Sequence, residues 1–343
     1  MSKSIATIKD VAREAGVSIS TVSSVVNGNK PVSEDLANRV REVIARLEFQ
    51  PNHMARSLHA KRTRTLAYMT PDITNVAFLR TFKAIEMVSH SRGYSVFLLS
   101  TDGSVEMTRE AIDKVIGLKM DGAFFTLSWV MSHPDIGLTR LAQRGISMVG
   151  VSGSYDMPDV DCFLHDEEGG GRQIGAYLHR LGHRRVLCVG PTTSRAAEKR
   201  WGGLRAAYTD AEASSDSGIE LVATEGYSAG SAYKAVQSAL ATQGRFTAMV
   251  AFNDAIATGA LAALSDNGLS IPEDVSFVSF GDGHRDFSRP QISSITFDEE
   301  RIAGLAANRL IDRIEGVTGE LPSHEYLPLT LTIRPSSRRV TRE

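Results

Sequence analysis

From Thr65 onward the chain alternates short apolar runs with longer amphipathic stretches, and it does so in two similar halves. TLAYMTPDI, YSVFLLSTD, DGAFFTLS and ISMVGVSG read as buried strands, with helices predicted near 77 to 91, 106 to 118 and 135 to 143. The rhythm resumes with RRVLCVGP, IELVATEGY, TAMVAFND and VSFVSFGD, and with helices near 167 to 181, 197 to 212, 229 to 242, 255 to 267 and 299 to 315. Strands that are apolar throughout and separated by helices belong to parallel sheets covered on both faces. Two such halves imply two doubly wound lobes, with a cleft at the strand carboxyl ends where these sheets take ligands.

The first sixty-four residues have a different grammar. They hold 11 Lys and Arg against 6 Asp and Glu, whereas residues 65 to 343 hold 27 against 34. A basic segment on an acidic body suits a small module that meets phosphates. In TIKDVAREAGVSISTVSSVVN, Thr7 can cap a helix that buries Ile8, Val11, Ala12 and Ala15. Gly16 supplies the turn, and Ser18 caps a second short helix lined by Val22, Val25 and Val26. A third helix, Ser33 to Leu47, closes the core. The result is a helix-turn-helix whose second helix offers Ser18, Ser20, Thr21, Ser23 and Ser24 to the outside. Short hydroxyls let such a helix lie deep in the major groove and bond phosphate oxygens.

TIKDVAREAGVSISTVSSVVNG, followed by VSEDLANRVREVIARLEFQPNHMARSLHAKRT, resembles the amino-terminal module of the lactose-repressor (LacI/GalR) family of bacterial transcription regulators. The resemblance implies a helix-turn-helix head over 1–50, a hinge helix or linker over 51–64, and an effector-binding and dimerisation domain over 65–343. That last domain would be a two-lobed α/β body, like periplasmic binding proteins, with parallel sheets and crossings near 164, 295 and 325. Ile19 and Ser20 would begin the base-reading surface. Ser24 stands where the family usually carries an arginine that reads guanine, and serine cannot form that bidentate contact, worth about 1 to 3 kcal/mol of discrimination. Thr21, Ser23 and Asn27 match positions for phosphate contact or helix support. In QPNHMARSLHAKRTRT the resemblance makes Leu58 a wedge into the minor groove, with Asn52 and Ala55 lining the approach.

PDITN, MDGAFF, LGHRRVLCVG, KRWGGL, AFNDAIATGALAAL, GLSIPEDVSFVSFGD and LPLTLTIRPS follow in the family's order and carry the resemblance along the whole chain. They imply effector contacts from Arg200 and Asn253, with Asp254 capping the next helix. Gly281 replaces an aspartate common in sugar-binding relatives, and Phe297 replaces a polar residue. Phe78 and Trp129 add aromatic wall. The expected effector is sugar-like or an organic acid, with a flat or apolar part and one hydroxyl or anionic end held by Arg200.

Other classes find weaker footing. His179 and His183 are four apart, as in a helical metal pair, but Gly182 breaks the helix and no third ligand is placed nearby. EEGGGR lacks the strand-loop-helix setting of a dinucleotide site, and no GxSxG or Walker motif occurs. Cys162 and Cys188 suit buried thiols, and no leucine heptad follows Arg334. The expectation is therefore a cytoplasmic, ligand-responsive repressor, not an enzyme and without a cofactor, that binds a pseudo-palindromic operator as a homodimer. A small-molecule binding protein or sugar-processing enzyme with a non-functional helical appendage is the alternative. Sequence-specific, salt-dependent DNA binding separates the two.

Overall fold

A computed structural model describes residues 6–27, 30–49, 62–126, 137–153, 157, 159–211, 218–242, 245–319 and 321–340. The chain divides into two compact units, Met1–Thr63 and Arg64–Glu343.

In the first unit, α1 (Ile8–Ala15) opens with a reciprocal cap. Asp10 N donates to the Thr7 hydroxyl, and Thr7 N donates to the Asp10 carboxylate at 3.0 Å. Gly16 then takes φ 65°, a left-handed conformation that a Cβ would strain, and reverses the chain. The Ser18 hydroxyl accepts from Thr21 N at 3.1 Å and starts α2 (Ile19–Asn27). Helix α3 (Glu34–Arg46) closes a core of Val11, Val22, Val40 and Val43, with Val25 and Val26 half-buried against it.

The second unit begins with β1 (Thr65–Thr70), α4 (Val76–Ser91), β2 (Ser95–Ser100), α5 (Val105–Gly117), β3 (Gly122–Phe125), α6 (Thr139–Ala142), β4 (Ser147–Val151) and β5 (Asp161–His165). It continues with α7 (Glu167–Arg180), β6 (Arg185–Gly190), α8 (Arg195–Ala211), β7 (Gly218–Ala223), α9 (Ala229–Thr242), β8 (Ala248–Ala251), α10 (Asp254–Asp266) and β9 (Ser276–Phe280). The chain ends with β10 (Ser293–Thr296), α11 (Glu299–Glu315), β11 (His324–Leu327) and β12 (Thr330–Thr332). The strands form two six-stranded sheets, ordered β11-β5-β4-β3-β1-β2 and β12-β10-β9-β8-β6-β7. Every described pairing is parallel except β10 with β12.

Both faces of the first sheet are covered, as its unbroken apolar strands require. Leu66, Tyr68 and Phe124 pack with Ile85 of α4 and Leu310 of α11, while Ala67, Met69 and Phe125 pack with Ile112 and Val115 of α5. Successive residues of one strand thus serve opposite cores. Since α11 packs on β3, β4 and β5, the chain crosses between lobes after β5, after β10 and between β11 and β12. Asp161, buried at the start of β5, accepts from Arg309 at 3.1 Å and Arg313 at 2.8 Å of α11. Burial opposes its charge, but these partners and Ser323 N hold its carboxyl below the usual range.

EEGGGR opens α7 and serves packing. A Cβ on Gly171 would run into the Arg200 carbonyl, and one on Gly203 into the Glu168 carbonyl. These glycines let α7 and α8 approach backbone to backbone. Arg200 and Glu167 meet as a consequence.

Candidate functional site

On the head, Ile19 is 46% exposed, Ser18 and Ser20 are exposed, and Thr21, Ser23 and Ser24 are half-buried. The hydroxyls are already ordered among themselves. Ser18 Oγ lies 2.7 Å from Ser20 Oγ and 2.8 Å from Thr21 Oγ1, and the Ser24 hydroxyl donates to the Ser20 carbonyl at 2.9 Å. Ser24 is therefore turned back along its own helix. The backbone of Asn27 ends α2, while its side chain, together with Asn52, Ala55, Leu58 and Trp129, lies outside the described residues.

In the second unit a cleft of about 660 Å³ separates the two lobes. That volume suits a small metabolite. Strand ends and helix starts build it: Asn75 and Phe78 at the start of α4, His165 at the end of β5, Ser194 and Arg200 at α8, and Asn253 after β8. Phe297 and Glu299 reach it from the second crossing.

Arg200 is 8% exposed, and each of its nitrogens has a partner. Nε and Nη2 donate to Glu167 at 2.7 and 2.8 Å, and Nη1 donates to the Phe252 carbonyl. Its guanidinium lies over the rings of Phe280, 4.7 Å to the centroid, and Phe297, 5.6 Å. Burial disfavours its charge, but Glu167, then Tyr227 and Asp254, more than offset this and hold its pKa above the ordinary value. The expectation that Arg200 holds an anionic ligand end is corrected by this geometry. Its fork is filled by Glu167, which is itself only 3% exposed. Nothing in the sequence period links residues 167 and 200; the glycines of α7 and α8 do.

Asn253 lines the cleft and caps α10, its Oδ1 accepting from Ile256 N at 2.7 Å. The cap is thus Asn253 and not, as expected, Asp254, because Asn253 has the extended backbone of a cap while Asp254 is already helical. The Asp254 carboxylate turns instead to accept from Gly283 N at 3.1 Å. A Cβ at Gly281 would lie 2.6 Å from Asp254 Oδ2. Gly281 therefore leaves room for a carboxylate delivered from the first residue of α10. Burial raises the Asp254 pKa, against the pull of His284, and burial also raises that of Glu299.

His165 is a cleft residue that the sequence reading does not include. It is 5% exposed, its ring meets Phe297 edge-on at 4.9 Å, and its Nε2 has no hydrogen-bond partner among the described residues. Burial lowers its pKa to about 4, so the imidazole is neutral at pH 7. Its only signal in the sequence is its place beside the first crossing. The other conspicuous histidines are structural: His183 bonds Thr247 and the Arg338 carbonyl, and His179 packs edge-on against Tyr208. Both cysteines are buried.

Residues 7–52 match the model of bacterial regulatory proteins of the lacI family, and residues 176–337 match that of periplasmic binding protein-like domains. The transcriptional repressor PurR of Vibrio atlanticus is 28% identical over 326 residues, covering 94% of this chain and 96% of that protein. Among solved structures, the lac repressor dimer bound to operator and the anti-inducer ONPF superposes with a TM-score of 0.84 at 24% identity, over 97% of this chain and 99% of that one. The CelR regulator in complex with cellobiose gives 0.70 at 26% identity, over 97% and 100%. No helix among the described residues is long and apolar enough to cross a membrane.

Proposed function

The chain belongs to the lacI family of bacterial regulatory proteins, and we propose that it is a ligand-responsive transcriptional repressor that binds a pseudo-palindromic operator as a homodimer. The observation that carries this reading is the head itself: two short helices fixed about Gly16, the second with a polar, hydroxyl-rich outer surface. Ile19 and Ser20 read base edges, and Thr21, Ser23 and Asn27 position the helix on phosphates. Residues 1–50 form the reader, 51–64 the hinge with Asn52, Ala55 and Leu58 at the minor groove, and 65–343 the sensor. A second copy has a place to dock. Val76, Leu79 and Met87 of α4 are exposed, as is Phe97 on the edge strand β2.

The effector enters the inter-lobe cleft among Phe78, Trp129, Arg200, Asn253 and Phe297. Its binding changes the angle between lobes, and with it the spacing of the two hinges. Coupling of this sort is typically about 1 to 3 kcal/mol. Related proteins solved with cellobiose and ribose support a small-molecule effector. Repressors rather than enzymes surround the chain, which supports a non-catalytic role at the chromosome, in the cytoplasm.

Selection of binding sites from random DNA by the purified protein tests the reading. A two-fold symmetric site is expected, without the guanine preference that an arginine in place of Ser24 would impose. Binding that is equal on all DNA, or a monomer in solution, overturns it.

A further inference from the structure

The charges that line the cleft are unbalanced. Among the described residues that line it, Asp72, Asp102, Glu167, Asp254 and Glu299 face a single guanidinium, that of Arg200. Glu167 consumes Arg200. Asp72 and Asp102 are satisfied locally by Thr74 and Ser100. Asp254 and Glu299 are left. Both are half-buried, Asp254 adds to the cost of ionising Glu299, and neither forms an ion pair among the described residues. His284, whose Nε2 lies 2.8 Å from the Asp254 carbonyl, and the exposed Arg80 of α4 offset part of that charge at Asp254, and Arg80 does so at Glu299.

A second, independent observation lies in the same cleft. His165 is buried and neutral, and its Nε2 lacks a partner among the described residues. A buried unpartnered nitrogen is costly and is uncommon without a use. Aromatic rings of Phe78 and Tyr227 complete the lining, beside Phe280 and Phe297, which Arg200 already faces. Ring faces carry negative potential and favour cations.

Resting on the proposed effector role of the cleft, we propose that the effector is a basic small molecule, bearing a protonated amine or guanidine set between Asp254 and Glu299 and a hydrogen-bonding group for His165. A carboxylate or phosphate ligand would meet uncompensated like charge, with Arg200 already engaged. A neutral sugar would satisfy the carboxylate oxygens by hydroxyl donation but leave their charge unbalanced in a half-buried site. A cation does both.

The test is calorimetry and thermal shift on the dimeric full-length protein with matched probes: hexoses, their amino-sugar and uronic-acid counterparts, polyamines, basic amino acids and their N-acetyl derivatives. Saturable binding by one or more basic probes, lost on N-acetylation, is expected. Asp254→Asn, which keeps an acceptor for Gly283 N, and Glu299→Gln should each weaken that binding by tenfold or more, and His165→Phe should weaken it too. All three variants should retain operator binding in a gel shift, which separates failure of this proposal from failure of the regulator reading. Tight binding of a neutral sugar or an acid, unchanged in Asp254→Asn and Glu299→Gln, overturns the proposal, as does the absence of binding by every basic probe.

Discussion

The first lobe meets the cleft with hydroxyls and an amide, Thr74, Thr81, Ser152 and Asn75, and with the separate carboxylates Asp72, Asp102 and Glu299, whereas the second meets it with a buried ion pair, Arg200–Glu167, and with Asp254. Strand order is the same in both sheets, so topology does not produce the difference. Helix packing does. In the second lobe, Gly171, Gly175 and Gly203 bring α7 and α8 close enough to bury an ion pair, and Gly281 and Gly283 make room for a third charge. In the first lobe, Thr81 of α4 reaches only the Ala77 carbonyl and, at 3.4 Å, the Ser152 hydroxyl. One wall is tied by a buried ion pair; the other is tied by single hydroxyl hydrogen bonds.

Removing the charge should hurt most. Arg200→Ala leaves Glu167 buried without its partner and should cost about 3 to 5 kcal/mol in urea unfolding, whereas Thr81→Ala should cost only about 0.5 to 1.5 kcal/mol. Equal costs would erase the contrast between the walls.

Acid should act next, through His165 beside the first crossing between the lobes. His165 titrates near 6.5 in an unfolded chain and at about 4 in the fold, so the unfolded state takes up a proton first as pH falls. Stability is then lost between pH 6.5 and 4, by about 3 kcal/mol at the lower end. His165→Gln should flatten that part of the profile, measured by urea midpoints at each pH. Asp254 and Glu299, whose values are raised, work with the opposite sign and limit the loss.

Gly203→Ala tests the packing argument directly. Its methyl would strike the Glu168 carbonyl, and forcing the helices apart should cost about 1 to 3 kcal/mol. Gly202→Ala, which meets nothing within 4 Å, should be neutral or gain up to about 1 kcal/mol.

The smallest effect compares the caps. Asn75 accepts from Ala77 N and Asn253 from Ile256 N, so Asn75→Ala and Asn253→Ala should each lose about 1 kcal/mol of thermal stability. If Asn253 also touches the effector, its variant alone loses effector affinity.

Much of this architecture is legible in the sequence where a short period or a local cap carries the information. The caps of α1 and α2, the turn at Gly16 and the eight strands that lie in apolar runs follow from residues within a few places of one another. Strands β5, β10, β11 and β12 are three to five residues long with polar positions among them, and periodicity alone does not raise them. Arg200, Asn253, Phe78 and Phe297 come from resemblance, and the structure brings these four to one cleft.

The residue pattern by itself determined the division into a basic helical head and a two-lobed α/β body, because helix and strand periods and cap chemistry are local properties of the chain. Only tertiary structure decided how charge is arranged in the cleft. Glu167 and Arg200 are 33 residues apart and meet because two glycine faces let their helices touch. Asp254 points into the space that Gly281 leaves. Electrostatics depends on separation in space and on burial, and neither is written in the spacing of residues along the chain.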